Sequence, residues 1–361
     1  MTYSLFITGC QYNYYDAKNI TRFLTQAGYI YVDDEKTADL IIVLACSVRQ
    51  KPLDRIFGKI KIWQKLPQKP KIIITSCILP NDRKRLQSKV DAIISINNFE
   101  KEFTRVFSAR IKKKSADNLE LYQTDDDPNT ALIPIMQGCN NFCSYCAVPY
   151  VRGREVSRPS KEIIEEIKKE LKRGKKQILL LGQNVNSFGI TRKQNNKIIK
   201  KYTFVDLLKE IEKITEDFTY NFMSANPRNF SRQLVEILPK LEKWQRVLHL
   251  PLQSGDDKIL TRMNRKYSAN DYLKLVSVLK SKITNLKLST DIIVGFPGET
   301  EKQFENTYKL CKIIGFSKAY VSQYSPRSGT LAARFKDNIL PAEKKKRWKI
   351  LDDLINKKIA K

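Results

Sequence analysis

The sequence has one histidine, His249, and only four methionines, three tryptophans and thirteen glycines in 361 residues. No apolar run approaches the roughly 18 residues that a membrane-crossing helix needs, and no basic leader precedes the first strand-like run, so neither membrane insertion nor secretion is indicated. A cytoplasmic protein with reduced thiols follows. Nothing repeats at solenoid period, and no pair of side chains stands out as a general acid and base. His249 alternates with Val247 and Pro251 on a strand pattern, where a satisfied interior histidine and a functional one are both open.

What the chain has in excess is positive charge, +28 at neutral pH. That suits a polyanionic partner, because Lys and Arg gain affinity by releasing counterions from phosphates, although a general richness in Lys, Ile and Asn accounts for part of it. The length calls for two packed domains. Asp125 to Asn129, just after the basic patch Lys112 to Lys114, reads as the linker, which gives an N-terminal domain over 1–122, a linker over 123–130, a core over 131–335 and a basic helix over 336–361.

Seven cysteines are present, and three of them, Cys139, Cys143 and Cys146, form a C-x3-C-x2-C run. Three thiolates on one loop can hold a metal centre but leave a four-coordinate site one ligand short. A structural zinc site would need a distant fourth cysteine, whereas a 4Fe-4S cluster held by three keeps one iron open to an external molecule. Cys10, Cys46 and Cys77 each lie just past a buried-strand pattern and before a helical one (Tyr14 to Ala27, Pro52 to Leu66, Pro80 to Gln87). Right-handed crossovers put the C-terminal ends of parallel strands on one edge, so these three converge, near helix starts whose dipoles favour thiolates. The alternative for each is an inert buried thiol, and Cys311, on an apolar stripe with Phe304, Tyr308 and Ile314, reads as core.

The spacing of the central triad, with Tyr145 before its third cysteine, resembles the radical S-adenosylmethionine (SAM) superfamily. Gly9-Cys10-Gln11-Tyr12-Asn13 and Cys46-Ser47-Val48-Arg49 narrow the resemblance to the methylthiotransferase family. Leu181 to Ser187, Tyr150 to Glu155, His249 to Gly255 and Ser289 to Thr300 are most similar to the type that methylthiolates isopentenyl-adenosine beside the tRNA anticodon. The resemblance implies an α/β chain, an N-terminal parallel-sheet α/β domain followed by a partial (β/α)6 radical SAM barrel. Six strand-like runs fit that barrel: Leu132 to Met136, Gln177 to Leu181, Thr219 to Met223, Val247 to Leu250, Leu286 to Val294 and Ala319 to Gln323.

It also implies two 4Fe-4S clusters and SAM as cofactors. Cys139, Cys143 and Cys146 would hold the cluster that cleaves SAM to a 5′-deoxyadenosyl radical, and Cys10, Cys46 and Cys77 the auxiliary cluster that carries sulfur. Tyr145, Gly182, Gln183, Asn184, Gln253, Ser254 and Asp291 are the expected SAM contacts, with a helix-capping turn as the alternative for Gly182 to Asn184. Arg152, Arg154 and Tyr12 are expected on the RNA, with a structural ion-pair network with Glu155 and nearby acids as the alternative for the arginines. Expected partners are the tRNA anticodon arm, a flavodoxin- or ferredoxin-type electron donor and a sulfur donor, with the enzyme a monomer and no membrane involved.

The pattern has departures: Leu44-Ala45 replaces the usual Asn-Thr, and Ser76 replaces a glycine with Ile78-Leu79-Pro80 after it, which removes polar neighbours of the auxiliary cluster. No small β-barrel RNA-binding domain of the TRAM type is seen, so the terminal helix with Lys344 to Arg347, Trp348 and Lys349 is expected to replace part of that contact or to cap the barrel with a solvated basic face. Alternatives are a threonylcarbamoyl-adenosine tRNA methylthiotransferase, a ribosomal-protein aspartate methylthiotransferase, or an inactive tRNA-binding relative. Gln183-Asn184-Val185-Asn186 argues against the first two.

Overall fold

The computed structural model describes residues 1–46, 50–107, 128–194 and 197–357. The patch Lys112 to Lys114, residues 123–127 of the anticipated linker and Ser47 to Arg49 lie outside the described residues. Two compact units emerge: Met1–Pro128 with Ala147–Arg152 and Arg327–Gly329, and Asn129–Cys146 with Gly153–Pro326 and Thr330–Lys361.

The first unit is a parallel sheet of β1 (Thr2–Ile7), β2 (Ile30–Tyr31), β3 (Leu40–Cys46), β4 (Lys71–Cys77) and β5 (Ala92–Ile93), in the order β2-β1-β3-β4-β5. Every residue of β3 is buried, as its unbroken apolar run requires of a strand covered on both faces. On one face α1 (Gln11–Gln26) packs with Ala17, Ile20, Phe23 and Leu24 against Phe99 and Phe103 of α4 (Phe99–Phe107). On the other, α2 (Gln50–Trp63) contributes Leu53, Ile56, Ile60 and Trp63, and α3 (Pro80–Gln87) contributes Leu86. This doubly wound order reverses between β1 and β3, and ligands of such sheets bind at the carboxyl ends of the strands at that reversal. Arg327, from the short returning segment, forms a buried 2.6 Å ion pair with Asp82 of α3.

In chain order the second unit carries β6 (Thr130–Pro134), the antiparallel pair β7 (Met136–Gln137) and β8 (Val156–Ser157), β9 (Gln177–Leu181), the hairpin β10 (Gly189–Gln194) and β11 (Lys197–Thr203), β12 (Thr219–Phe222), β13 (Trp244–His249), β14 (Lys287–Val294) and β15 (Lys318–Gln323). Its main sheet has six parallel strands, ordered β15-β14-β13-β12-β9-β6. Neighbours in sequence are neighbours in space, as in a singly wound open barrel. Its helices include α6 (Ser160–Lys172), α7 (Phe204–Glu212), α8 (Arg232–Ile237), α9 (Asp257–Arg262), α10 (Ala269–Lys282), α11 (Glu301–Ile314) and α12 (Pro341–Ile355), while α5 (Val148–Val151) falls in the first unit. Capping boxes built on Thr203, Ser268 and Thr300 start α7, α10 and α11. Cys311 is buried on α11, where burial pushes its thiol pKa up to about 12.

The terminal helix packs on the barrel, its Trp348 Nε1 donating to Val321 O (3.0 Å), and keeps only part of the basic face solvated. Two of its basic residues are turned inward: Lys344 pairs with Asp337 at 2.6 Å, and Arg347 bonds Glu299, Glu301 and Glu343 at 2.9, 3.2 and 2.8 Å. Gly295, at φ +67°, leaves the space that Lys344 fills, since a Cβ there would sit 2.4 Å from Lys344 Cγ. Only Lys345, Lys346 and Lys349 remain exposed on the run. Among the described residues, no helix is long and apolar enough to cross a membrane.

Candidate metal centres

Cys10, Cys46 and Cys77 come together at the carboxyl edge of the first sheet, where the strand order reverses. Cys46 and Cys77 are register partners at the ends of β3 and β4, and Cys10 is the N-cap residue of α1. Gly9, at φ +104°, makes the approach possible: a Cβ on it would lie 2.5 Å from Cys46 Cβ and 2.9 Å from its sulfur. Asn13 ties the edge together. Its amide nitrogen donates to the carbonyls of Thr8 (2.6 Å) and Ala45 (3.0 Å), and its oxygen accepts from Ser76 Oγ (2.7 Å) and Arg152 Nη2 (2.8 Å).

Arg152 is not the surface cation that the sequence suggests. It is buried, donates from Nε to Cys77 Sγ (3.0 Å), pairs with Asp16 (3.1 Å) and lies 4.1 Å above the Tyr12 ring. Tyr12 is buried as well, with Tyr15 edge-on, so neither it nor Arg152 presents a face to a nucleic acid. Burial raises the Cys77 thiol to about 11 despite the pull of Arg152, and burial likewise raises Asp16 against the same cation. Cys77 is not at a helix start, since α3 begins only at Pro80, whereas Cys10 is the N-cap residue of α1 as expected. The departure at Ser76 is not a loss of polarity either. Ser76 holds φ +75°, the left-handed region where glycine is unstrained, and its hydroxyl reaches Asn13 and, at 3.8 Å, the Cys77 sulfur.

The second triad sits on the loop that follows β7. Gly138, at φ +73°, allows the loop to pass the carbonyl of Arg154, which a Cβ would approach to 2.1 Å. The loop is fastened by Ser144, whose N–H donates to Met263 O (3.0 Å) and whose hydroxyl donates to Arg262 O (2.8 Å), and by Asn264, which donates to Phe142 O (2.9 Å). Asn141 Nδ2 reaches Cys139 Sγ at 3.4 Å, and Arg265 Nη1 reaches Cys143 Sγ at 3.3 Å while its Nη2 donates to Pro251 O (3.3 Å). Arg265 Nε also donates to Tyr267 Oη (3.0 Å), so neutral oxygens and the Cys143 sulfur offset the desolvation of its guanidinium. Tyr145 packs beside the cluster of Ile259, Met263, Phe296 and Tyr324, and burial keeps its phenol neutral. Arg154 is exposed, with its guanidinium 4.3 Å over Phe142.

Three of the expected SAM contacts carry unpaired polar atoms. The side-chain carbonyl oxygens of Gln183, Asn184 and Gln253 are buried with no hydrogen-bond partner among the described residues, and such groups cost about 1–3 kcal/mol unless something donates to them. Gln253 also holds a left-handed backbone (φ +69°), pinned by Gln253 N–H to Asp291 O (2.8 Å) and Ile293 N–H to Gln253 O (3.0 Å). Gly182 is a tight spot, where a Cβ would meet Met136 Cγ at 2.7 Å. Asp291 accepts from or bonds His249 Nε2 at 3.2 Å, and His249 Nδ1 lies 3.2 Å from Ser289 Oγ, which makes His249 a satisfied ring that orients Asp291. Ser254, also expected at SAM, carries no such orphaned atom. It is fully buried, within 3.3 Å of Thr307 Oγ1, and accepts from Asp256 N–H, as part of the anchoring of α9 to α11.

Both triads fit an iron-sulfur cluster. Each gathers three thiols within one unit and receives N–H donors at a sulfur, the surroundings that ligating thiolates need. Among the described residues, no three His, Cys, Asp or Glu side chains converge as one metal ion requires. A cluster asks for less convergence, because each thiolate binds a different iron. Asp16, Asn141, Arg265 and Tyr267 are not among the expected site residues, and Asn13, present in the motif around Cys10, gains a role only from the structure.

The barrel and its three-cysteine loop define a radical SAM protein: the model of the Radical SAM superfamily matches residues 133–311, and that of Uncharacterized protein family UPF0004 matches residues 2–96. The tRNA-2-methylthio-N(6)-dimethylallyladenosine synthase of Clostridium botulinum (strain Loch Maree / Type A3) is 39% identical over 98% of this chain and 81% of its own. That of Carboxydothermus hydrogenoformans is 37% identical over 98% and 83%. The chain belongs to the radical SAM methylthiotransferase family that contains these synthases. The radical S-adenosylmethionine methyltransferase TsrM from Kitasatospora setae shares the fold, with a TM-score of 0.66 at 12% identity over 92% of this chain and 77% of its own.

Proposed function

We propose that the protein is a tRNA methylthiotransferase that adds a methylthio group to C2 of N6-isopentenyladenosine next to the anticodon. The observation that carries this is the pair of three-cysteine groups, one at the reversal point of a doubly wound sheet and one on the loop after the first barrel strand, each a ligand short of closure. Bound there, reduced 4Fe-4S clusters and SAM supply the hydrogen-abstracting radical and the sulfur to be transferred. Cys139, Cys143 and Cys146 hold the SAM-cleaving cluster, and Cys10, Cys46 and Cys77 the auxiliary one. The orphaned oxygens of Gln183, Asn184 and Gln253 are acceptors suited to the ammonium and hydroxyl donors of SAM, and Asp291, oriented by His249, adds a partly exposed carboxylate.

Gly182 admits the turn and Tyr145 backs the loop with an apolar wall. Exposed Arg154, stacked on Phe142, is the remaining arginine of the notional RNA set able to meet a phosphate. The enzyme works as a cytoplasmic monomer with a flavodoxin- or ferredoxin-type electron donor and a sulfur donor. Mass spectrometry of tRNA nucleosides from a strain lacking the protein tests this: methylthio-isopentenyladenosine should vanish and isopentenyladenosine accumulate. Unchanged nucleosides, or loss of the threonylcarbamoyl counterpart instead, would overturn it.

A further inference from the structure

Arg152 sits at a junction of sequence and structure. It closes Ala147–Arg152, the piece of chain that begins right after the third cysteine of one triad and belongs to the unit containing the other. Every described contact of its fork is directed. Nε points at the Cys77 sulfur (3.0 Å), Nη2 is shared by Asn13 Oδ1 (2.8 Å), Asp16 Oδ2 (3.1 Å) and Ser76 Oγ (3.3 Å), and the flat face rests 4.1 Å above Tyr12. The side chain is only 5% exposed, so little water screens its charge.

We propose that Arg152 is a positioning residue of the auxiliary cluster, whose N–H bond to the Cys77 sulfur raises that cluster's reduction potential and so sets how readily it accepts an electron. This rests on the assignment of Cys10, Cys46 and Cys77 to a cluster. Reduction adds negative charge to a centre already surrounded by thiolates. A fixed guanidinium at one sulfur stabilises the reduced state more than the oxidised one, and hydrogen bonds to ligating sulfurs act in the same sense. Asp16 lies at the far end of the fork and fixes it with the Nε–H directed at sulfur. A lysine offers one point charge and cannot serve Cys77, Asn13 and Asp16 together.

The test uses the full chain carrying Cys139→Ala, Cys143→Ala and Cys146→Ala, so that only the auxiliary triad reports. After anaerobic reconstitution, iron content and an EPR-monitored redox titration are compared for this parent, Arg152→Gln, Arg152→Lys and the double variant Arg152→Gln/Asp16→Asn. The double variant leaves no uncompensated buried charge and so guards against simple misfolding. The expected result is retained iron with a potential shifted negative in both Gln variants and partly restored by Lys. A double variant that keeps its cluster at the parent's potential, or shifts it positive, overturns the proposal while leaving the cluster assignment intact. Loss of iron from every variant, Lys included, makes Arg152 merely structural and overturns it too. A parent that takes up no iron overturns the assignment itself, and the proposal with it.

Discussion

The two triads reach the same chemistry from opposite directions. One is assembled by topology, from the ends of β1, β3 and β4, with a glycine at the crowding point; the other is written into a single loop fastened to the α9 region by Ser144 and Asn264. Each receives one arginine from far along the chain, Arg152 to Cys77 and Arg265 to Cys143. The companions of those arginines differ. Arg152 is balanced by a carboxylate, Asp16, whereas Arg265 is surrounded by the phenols Tyr145 and Tyr267. The topological triad is thus built around a buried charge pair and the local triad around neutral acceptors, so the first should be the more fragile to loss of its cation.

The largest expected effect separates the roles of the triads. Anaerobically reconstituted protein should hold about eight irons, from two 4Fe-4S clusters, and alanine at all three cysteines of either triad should leave about half. Loss of Cys139, Cys143 and Cys146 should abolish cleavage of SAM, while loss of Cys10, Cys46 and Cys77 should abolish only the methylthio product. If Cys46→Ala alone stopped SAM cleavage with the other cluster intact, the division of labour would be wrong.

The next largest effect compares the two arginines. Arg152→Leu strands the Asp16 carboxylate in the interior and should cost about 3–5 kcal/mol in urea denaturation of the apo protein. Arg265→Leu removes hydrogen bonds from neutral partners and should cost about 1–3 kcal/mol. The Asp16 pKa, already raised by burial, rises further without its cation, so the Arg152→Leu deficit should shrink as the pH falls and the carboxyl is protonated. Equal, pH-independent losses in the two variants would erase the distinction.

A smaller effect is expected at the unpaired oxygens. Gln183→Leu and Gln253→Leu should each weaken SAM binding about 5- to 10-fold in equilibrium dialysis, the equivalent of about 1–1.4 kcal/mol, without lowering apo stability. Binding unchanged in both would mean that these oxygens face something else.

The smallest effect lies outside either triad. Cys311 is held neutral in the core at about 12, above the unfolded value of 9.0, so the folded state binds its proton more tightly and stability should fall as pH rises between those values. Cys311→Ala should flatten that alkaline decline in thermal melts, and a decline of the same slope would assign it to other groups.

How much of this was legible follows from the reach of each interaction. The local triad could be read from spacing alone, since a loop of that length brings its own cysteines together. The distant triad was legible one step removed, because unbroken apolar runs before Cys46 and Cys77 signal buried parallel strands whose ends must share an edge. The six barrel strands were found to within a few residues, yet β6 stops at Pro134 and Met136 turns to pair with β8. What escaped was which cations turn inward. Arg152 and Arg154 are one glycine apart and look alike as letters, but one is buried against Cys77 and Asp16 and the other lies on Phe142. Lys344 and Arg347 misled in the same way, because the carboxylates that receive them, Asp337 and Glu299, belong to other elements.

The way the chain contributes Ala147–Arg152 and Arg327–Gly329 to the first unit has a practical consequence for anyone dividing the gene. A fragment ending after α4 would contain the three auxiliary cysteines and the whole parallel sheet, yet would lack both arginines that neutralise its interior. Asp16 would be left as a buried carboxylate without Arg152, and Asp82 would keep only its 3.7 Å pair with the exposed Arg85. Such a fragment is expected to be insoluble or acid-loving, and a recombinant module would have to supply the two missing peptides in trans or substitute both aspartates by asparagine.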